Sequence, residues 1–190
     1  MSRNQVKLLA IIAMTIDHAA LVFVAPESLL YYAMRLVGRL TAPIMAFMLV
    51  EGFHYTRSRP KYLLRLLAFA LISQPFYFRM VFGRAPETAL EYFTNWNVMF
   101  SLAVALLSLI IIMGSSLPLM PRMMLLAGCI SLAQFGDWSY LIPVWAIIFY
   151  VFRESPKKQV VAFAVTSIVM ETIIFLPQYE SFGAFSFGTI

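Results

Sequence analysis

Two ionisable residues, Asp17 and His18, lie side by side inside an apolar run that extends from Leu8 to Ala25. The run is long enough to cross the hydrocarbon core of a bilayer as a helix. An aspartate at the centre of such a helix costs about 2.5–3.5 kcal/mol on insertion scales, so ionisable residues at this depth are rare and usually mark a functional site. Histidine is suited to general-base chemistry near neutral pH. The two residues therefore predict either a buried catalytic site or a polar contact between two helices.

A second apolar run carries two arginines, Arg35 and Arg39, one helical turn apart and on one helix face. With a rise of 1.5 Å per residue, His18 lies roughly 18 Å into the first span and Arg39 roughly 15 Å into the antiparallel second span. We therefore expect an ion pair between Asp17 and Arg39, with Gly38 allowing close approach of the helices. This ion pair would either serve the site or only lock the two helices together.

The end of the second run and the segment after it are rich in polar and basic side chains. One interpretation is a solvated loop whose charge follows the positive-inside rule. The other is a rim that binds the phosphates of a cytoplasmic donor, since Arg grips phosphate bidentately and Lys adds a point charge. The candidate donor-binding residues are Arg35, Glu51, Thr56, Arg57, Arg59, Lys61, Tyr62 and Arg65.

Several other kinds of site find no support in the sequence. No spacing of His, Cys, Asp and Glu is typical of a metal site, and the single cysteine, Cys129, excludes an internal disulfide. There is no P-loop, dinucleotide fingerprint or G-x-S-x-G motif. The net charge of +5 arises from basic residues in short loops, so we expect no nucleic-acid partner.

The composition is that of a polytopic membrane protein. Of 190 residues, 62% are hydrophobic and 12% charged, against about 25% charged in a soluble domain, and the mean hydropathy is +0.83. The sequence predicts an all-α transmembrane bundle, with membrane lipid around it and one domain over residues 1–190. The seven predicted spans are about 6–25, 29–54, 61–82, 97–114, 119–135, 138–152 and 158–176.

The distribution of Lys and Arg predicts the orientation. Ten of the fourteen fall on the side of the N-terminus, two on the other side and two within the second span. The positive-inside rule then places the N-terminus in the cytoplasm. The sixth predicted span is short and carries Pro143, so we expect it to be kinked, tilted or partly re-entrant.

Four segments together resemble the TraX family of bacterial membrane proteins. They are KLLAIIAMTIDHAALVF (7–23), residues 35–76 with their GR, EG and TR motifs, NVMFSLAVALL (97–107) and GDWSYLIPVWAIIFYVFR (136–153). The resemblance implies a multi-pass protein of the bacterial inner membrane. It also implies acetyl-CoA as donor and a pilin N-terminus or another envelope component as acceptor. Family members often continue past the seventh span, so we expect a short or truncated member.

The same resemblance implies roles for particular residues. Asp17 and His18 correspond to the catalytic pair that the resemblance implies, with His18 either as general base or as carrier of the acetyl group, and Arg39 corresponds to the GR motif. Glu51, Thr56, Arg57, Tyr62 and Arg65 are family positions without assigned roles. Two rival hypotheses stay open from the residues themselves: a transporter or proton-coupled channel that uses Asp17, Glu51 and Glu171 as a relay, and a scaffold in which every buried charge is structural.

Overall fold

The computed structural model describes the backbone of residues 2–26, 28–114 and 116–186, and the side chains among them except at positions 171 and 173–186. The side chain of Glu171, which the relay hypothesis uses, therefore lies outside the described part. The described residues form helices joined by short turns, with one isolated bridge between Trp96 and Gly136 and no strand. The helices are α1 Arg3–Phe23, α2 Leu29–Gly38, α3 Thr41–Tyr55, α4 Arg59–Phe82, α5 Ala89–Thr94, α6 Val98–Gly114, α7 Leu119–Ala133, α8 Leu141–Val151 and α9 Pro156–Ser186. The predicted all-α fold is confirmed.

Three helical segments of the described chain are long and apolar enough to cross a membrane. They are α1, the combined stretch Leu29–Tyr55, and α4, whereas α6, α7 and α8 are shorter apolar helices. Many large apolar side chains on the long helices are exposed, as lipid-facing surfaces require. The count of seven spans and the cytoplasmic N-terminus stay predictions.

Helix α1 packs through a face of small residues. Ser2 starts the helix in a capping box with Gln5, and Ala10, Ala13 and Ala20 are buried. This face contacts α2, α3 and α4. Small side chains let helix backbones approach closely in a membrane, so the alanines bring the polar residues of α1 near those of its neighbours.

The second predicted span is not one continuous helix. It breaks at Arg39 and Leu40, between α2 and α3. Pro43 has no N–H with which to bond the carbonyl of Arg39, and its ring crowds that carbonyl, which accounts for the interruption. Arg39 and Leu40 keep right-handed helical backbone angles, so Arg39 lies at the junction of α2 and α3.

Helix α6 packs on three other helices, α3, α4 and α7. Asn97 caps it, since the Asn97 side-chain oxygen accepts a 3.0 Å hydrogen bond from the Met99 amide. The Asn97 amide group also donates to the Gln74 side-chain oxygen and to the Ala70 carbonyl, both at 2.8 Å. These buried bonds tie α6 to α4 just before Pro75.

The long connection from Gly83 to Asn97 contains the short helix α5. Gly83 ends α4 in the left-handed conformation, with a φ of 68°. Arg84 then binds Glu91 through two hydrogen bonds of 2.5 and 3.2 Å, and the Glu87 amide donates to the same carboxylate. The hydrogen bonds from Arg84 hold the pKa of Glu91 below its ordinary value.

The chain consists of two compact units, one up to Ile147 and one from Ile148 onward. The second unit contains the end of α8 and helix α9. Within it the Gln159 side chain donates to the Phe149 carbonyl at 2.9 Å, and Phe149 stacks on Phe163. The single domain over residues 1–190 stays a prediction.

Candidate active site

A cavity of about 520 Å³ opens beside the N-terminal halves of α1 and α4, and we call it the N-terminal cavity. Its size lies within the roughly 300–1,000 Å³ of ligand pockets. Parts of α1, α3, α4 and α6 form its walls. Its charged lining residues are Arg3, Lys7, Glu51 and Arg65, and its deeper lining is apolar and includes Ala10, Ile11, Met14, Met45, Met48, Leu49, Leu66, Met99 and Leu102.

One face of α1 leads from the charged end of the cavity towards His18. Lys7, Ile11 and Met14 line the cavity at helical spacing. His18 follows Met14 by four residues, so it continues the same face about 6 Å further along the helix axis. His18 is half-buried and is not itself part of the lining. It therefore lies just beyond the apolar end of the cavity.

The structure brings four of the predicted donor-binding residues into this cavity, namely Glu51, Thr56, Tyr62 and Arg65. Gly52 makes room for one of them, because a Cβ at this position would lie 2.8 Å from the Tyr62 hydroxyl oxygen. The other four, Arg35, Arg57, Arg59 and Lys61, do not line the cavity. The Arg59 guanidinium lies over the Phe53 ring instead, 4.3 Å from its centre.

Two basic residues of the cavity, Arg3 and Lys7, were not predicted from the sequence. Arg3 approaches Glu51 at 3.6 Å and lies 4.0 Å above the centre of the Tyr55 ring. A signal for Lys7 exists, because it begins the i, i+4, i+7, i+11 series that ends at His18, and Arg3 precedes Lys7 by four residues.

The predicted ion pair between Asp17 and Arg39 is wrong. Asp17 instead accepts a 2.7 Å hydrogen bond from Arg35, and both side chains are largely buried. The register of the α1–α2 hairpin gives the reason. Asp17 lies six residues before Phe23, the end of α1, and Arg35 lies six residues after Leu29, the start of α2. Antiparallel helices joined by a short turn place such residues level with each other.

Gly38 allows the close approach that the sequence predicts. It is buried, and a Cβ at this position would collide with the Asp17 side chain. His18 directly follows Asp17 in α1. The ion pair therefore fixes the α1–α2 contact next to His18.

Arg39 takes part in a different contact. Its exposed guanidinium lies over the Trp138 ring, 4.9 Å from the ring centre. Trp138 and Ser139 both have left-handed backbones, with φ of 67° and 45°. Such conformations are strained for residues other than glycine and cluster at functional sites. The sequence analysis missed this contact, and GDWSY gives no local signal for the positive φ angles.

The neighbouring backbone holds this strained turn in place. The Trp96 amide donates to the Phe135 carbonyl and the Asp137 amide donates to the Trp96 carbonyl, each at 2.7 Å. Gly136 is packed so closely on α6 that a Cβ there would collide with the Ser101 hydroxyl. These contacts hold residues 135–137, directly before Trp138, against Trp96 and α6.

A double-mutant cycle tests the revised partner of Asp17. We expect Asp17→Asn and Arg35→Gln to be coupled by about 1–3 kcal/mol in the free energy of unfolding, because each single change leaves a partly buried charge without its partner. The matched cycle of Asp17→Asn with Arg39→Gln should give coupling near zero. Unfolding in mixed micelles measures both. Stronger coupling to Arg39 than to Arg35 would contradict the observed pairing.

Comparisons with known proteins agree with the resemblance in the sequence. The family model described as "TraX protein" matches residues 2–185. The chain is 39% identical over 176 residues to the "Probable fimbrial assembly protein FimC, serogroup H1" of Dichelobacter nodosus. The matched region covers 88% of this chain and 72% of that protein. No solved structure matches the chain. Among the described residues, no group of His, Cys, Asp and Glu could hold a metal ion.

Proposed function

Because the chain belongs to the TraX family of helical membrane proteins, we propose that it is an integral-membrane acetyltransferase of the inner membrane. The donor is cytoplasmic acetyl-CoA, and the acceptor is an amine or hydroxyl of a fimbrial subunit or another envelope component. The name of the Dichelobacter relative, a probable fimbrial assembly protein, supports the fimbrial acceptor. The lining of the N-terminal cavity supports acetyl-CoA as the donor.

The N-terminal cavity combines the two properties that a coenzyme thioester requires. Arg3, Lys7 and Arg65 supply cations at the charged end, where the phosphates of acetyl-CoA would bind. The apolar part of the cavity lining would contact the uncharged arm of the coenzyme that carries the acetyl group. Since Met14 is the last residue of α1 that lines the cavity and lies one turn before His18, the acetyl carbon would approach the histidine. This arrangement of cations, apolar depth and histidine is the observation on which the proposal depends.

The proposed reaction is a direct transfer. His18 accepts a proton from the acceptor amine or hydroxyl, whose nitrogen or oxygen attacks the acetyl carbonyl. The carbon–sulfur bond breaks, and the departing thiolate takes up the proton that His18 carries. Asp17 and Arg35 position α1 and α2 around the histidine through their ion pair. Arg39, which does not contact Asp17, supplies a positive charge at the junction of α2 and α3.

Two of the three acids in the relay hypothesis are engaged in ion pairs. Asp17 binds Arg35 at 2.7 Å, and Glu51 approaches Arg3 at 3.6 Å. In both contacts an arginine, and not another acid of the relay, is the partner of the carboxylate. These contacts favour the acetyltransferase over the proton-coupled transporter.

Neutralising the cations of the cavity tests the donor site. We expect Lys7→Ala and Arg65→Ala each to weaken acetyl-CoA binding about tenfold, because each removes a charged partner of a phosphate. The ligand-induced rise in melting temperature of the detergent-solubilised protein measures this affinity. Arg57→Ala and Lys61→Ala each remove a charge that is close to Arg65 in the sequence but outside the cavity lining. Equal losses in all four variants would argue for diffuse attraction and against a built donor site.

A further inference from the structure

A second cavity, of about 710 Å³, opens beside the C-terminal halves of α1 and α4, and we call it the C-terminal cavity. Helix α1 contributes Leu21 and Val22, and α4 contributes residues from Pro75 onward. The turn after α4 completes the wall. None of the proposed donor-binding residues lines this cavity, so it is a separate site.

The wall of the C-terminal cavity is mainly apolar. Val22 and Phe76 are among the exposed large hydrophobic residues of the structure, with 55% and 76% of their surface accessible. Both line the cavity together with Leu21, Pro75, Phe78 and Met80. An open cavity with such a wall accepts a hydrocarbon chain without desolvating polar groups.

Two arginines line the same cavity, and their partners differ. Arg84 is neutralised by Glu91 and Glu87, at 2.5 and 3.4 Å. The Arg79 side chain makes no hydrogen bond or ion pair with another residue in the described part of the chain. The cavity therefore presents one uncompensated guanidinium above an apolar wall, a combination complementary to an anion that is attached to a hydrocarbon chain.

The position of the cavity along α1 separates it from the donor site. Met14 lines the N-terminal cavity, whereas Leu21 and Val22 line the C-terminal cavity. His18 lies between them, four residues after Met14 and four before Val22, which is about 6 Å of helix axis in each direction. The two cavities thus approach the histidine from opposite ends of one helix face.

We propose that the C-terminal cavity binds an anionic lipid, with the headgroup phosphate on Arg79 and the first part of an acyl chain against Val22 and Phe76. The charge of Arg79 selects the anionic headgroup, since guanidinium binds phosphate bidentately. The apolar wall selects a lipid over a free anion. Lipid binding requires neither acetyl-CoA nor catalysis, so this inference goes beyond the proposed function and stands or falls separately from it.

Native mass spectrometry of the purified full chain with phosphatidylglycerol or phosphatidylcholine tests the proposal. We expect phosphatidylglycerol to bind about tenfold more tightly than phosphatidylcholine, and Arg79→Gln to remove that preference. Lys157→Gln, which removes one charge from a residue outside the cavity lining, should keep the preference. A photoactivatable phosphatidylglycerol should label the peptides that contain Val22 and Phe76.

Other results would overturn the proposal. Equal binding of the two lipids, an unchanged preference in Arg79→Gln, or labelling confined to other peptides would each do so. Displacement of phosphatidylglycerol by inorganic phosphate at equal concentration would show that the apolar wall adds nothing. Melting curves of each variant establish that it is folded, and acetyl-CoA binding, measured separately, reports on the donor site alone.

Discussion

Replacing His18 with alanine is expected to reduce acetyl transfer by about 10²–10⁴-fold, the usual contribution of a general base. The acceptor would then have to lose its proton to water, while the cations of the N-terminal cavity would still bind the donor. We therefore expect the affinity for acetyl-CoA to be nearly unchanged. Transfer of label from radiolabelled acetyl-CoA to the components of an envelope extract measures the rate, and a thermal shift measures the affinity.

The chain offers a matched control, because it contains one other histidine, His54. His54 is exposed, contacts the edge of the Tyr55 ring and does not line the N-terminal cavity. We expect His54→Ala to transfer acetyl groups at the wild-type rate. Undiminished transfer in His18→Ala would refute the role of His18, whereas equal losses in both variants would point to a general effect of removing a histidine.

The second large effect is expected from Gly38→Ala. The added methyl group would occupy the space of the Asp17 side chain, so either the α1–α2 contact widens or the ion pair with Arg35 breaks. Overpacking of this kind costs about 1–3 kcal/mol. We expect a lower melting temperature, and also slower acetyl transfer, because the displaced helices carry His18.

Gly128→Ala is the control for this change. Gly128 lies within α7 and is exposed, and a Cβ there would meet no atom within 4 Å. Alanine is the better helix former by up to about 1 kcal/mol, so this variant should be as stable as the wild type or more stable. A Gly38→Ala protein that melts no lower than Gly128→Ala would show that the contact with Asp17 is looser than the structure indicates.

The helical fold could be predicted from the sequence because lipid leaves the backbone few alternatives. The apolar run around Asp17 and His18 became α1, whereas α9 continues to Ser186, past the predicted end of the seventh span at about residue 176. The break at Arg39 was not predicted, although Pro43 provides its cause. A proline near the start of a helix is common, so its presence alone does not distinguish an interrupted span from a continuous one.

The site could be predicted only in part. Polar residues inside apolar runs identified Asp17, His18, Arg35 and Arg39, but their partners depended on the register of the hairpin. Depths measured from the predicted start of each span pair Asp17 with Arg39, whereas depths measured outward from the turn pair Asp17 with Arg35. The contact of Arg39 with Trp138 joins residues about a hundred positions apart, and helical periodicity carries no information about such contacts.

Helix α1 supplies part of the wall of both cavities, through Met14 on one side of His18 and Leu21 on the other. A ligand that shifts this helix in one cavity alters the shape of the other. Thermodynamic reciprocity then requires that whatever factor a lipid imposes on the affinity for acetyl-CoA, acetyl-CoA imposes on the affinity for the lipid. The lipid composition of the membrane would in that way alter the affinity of the protein for acetyl-CoA.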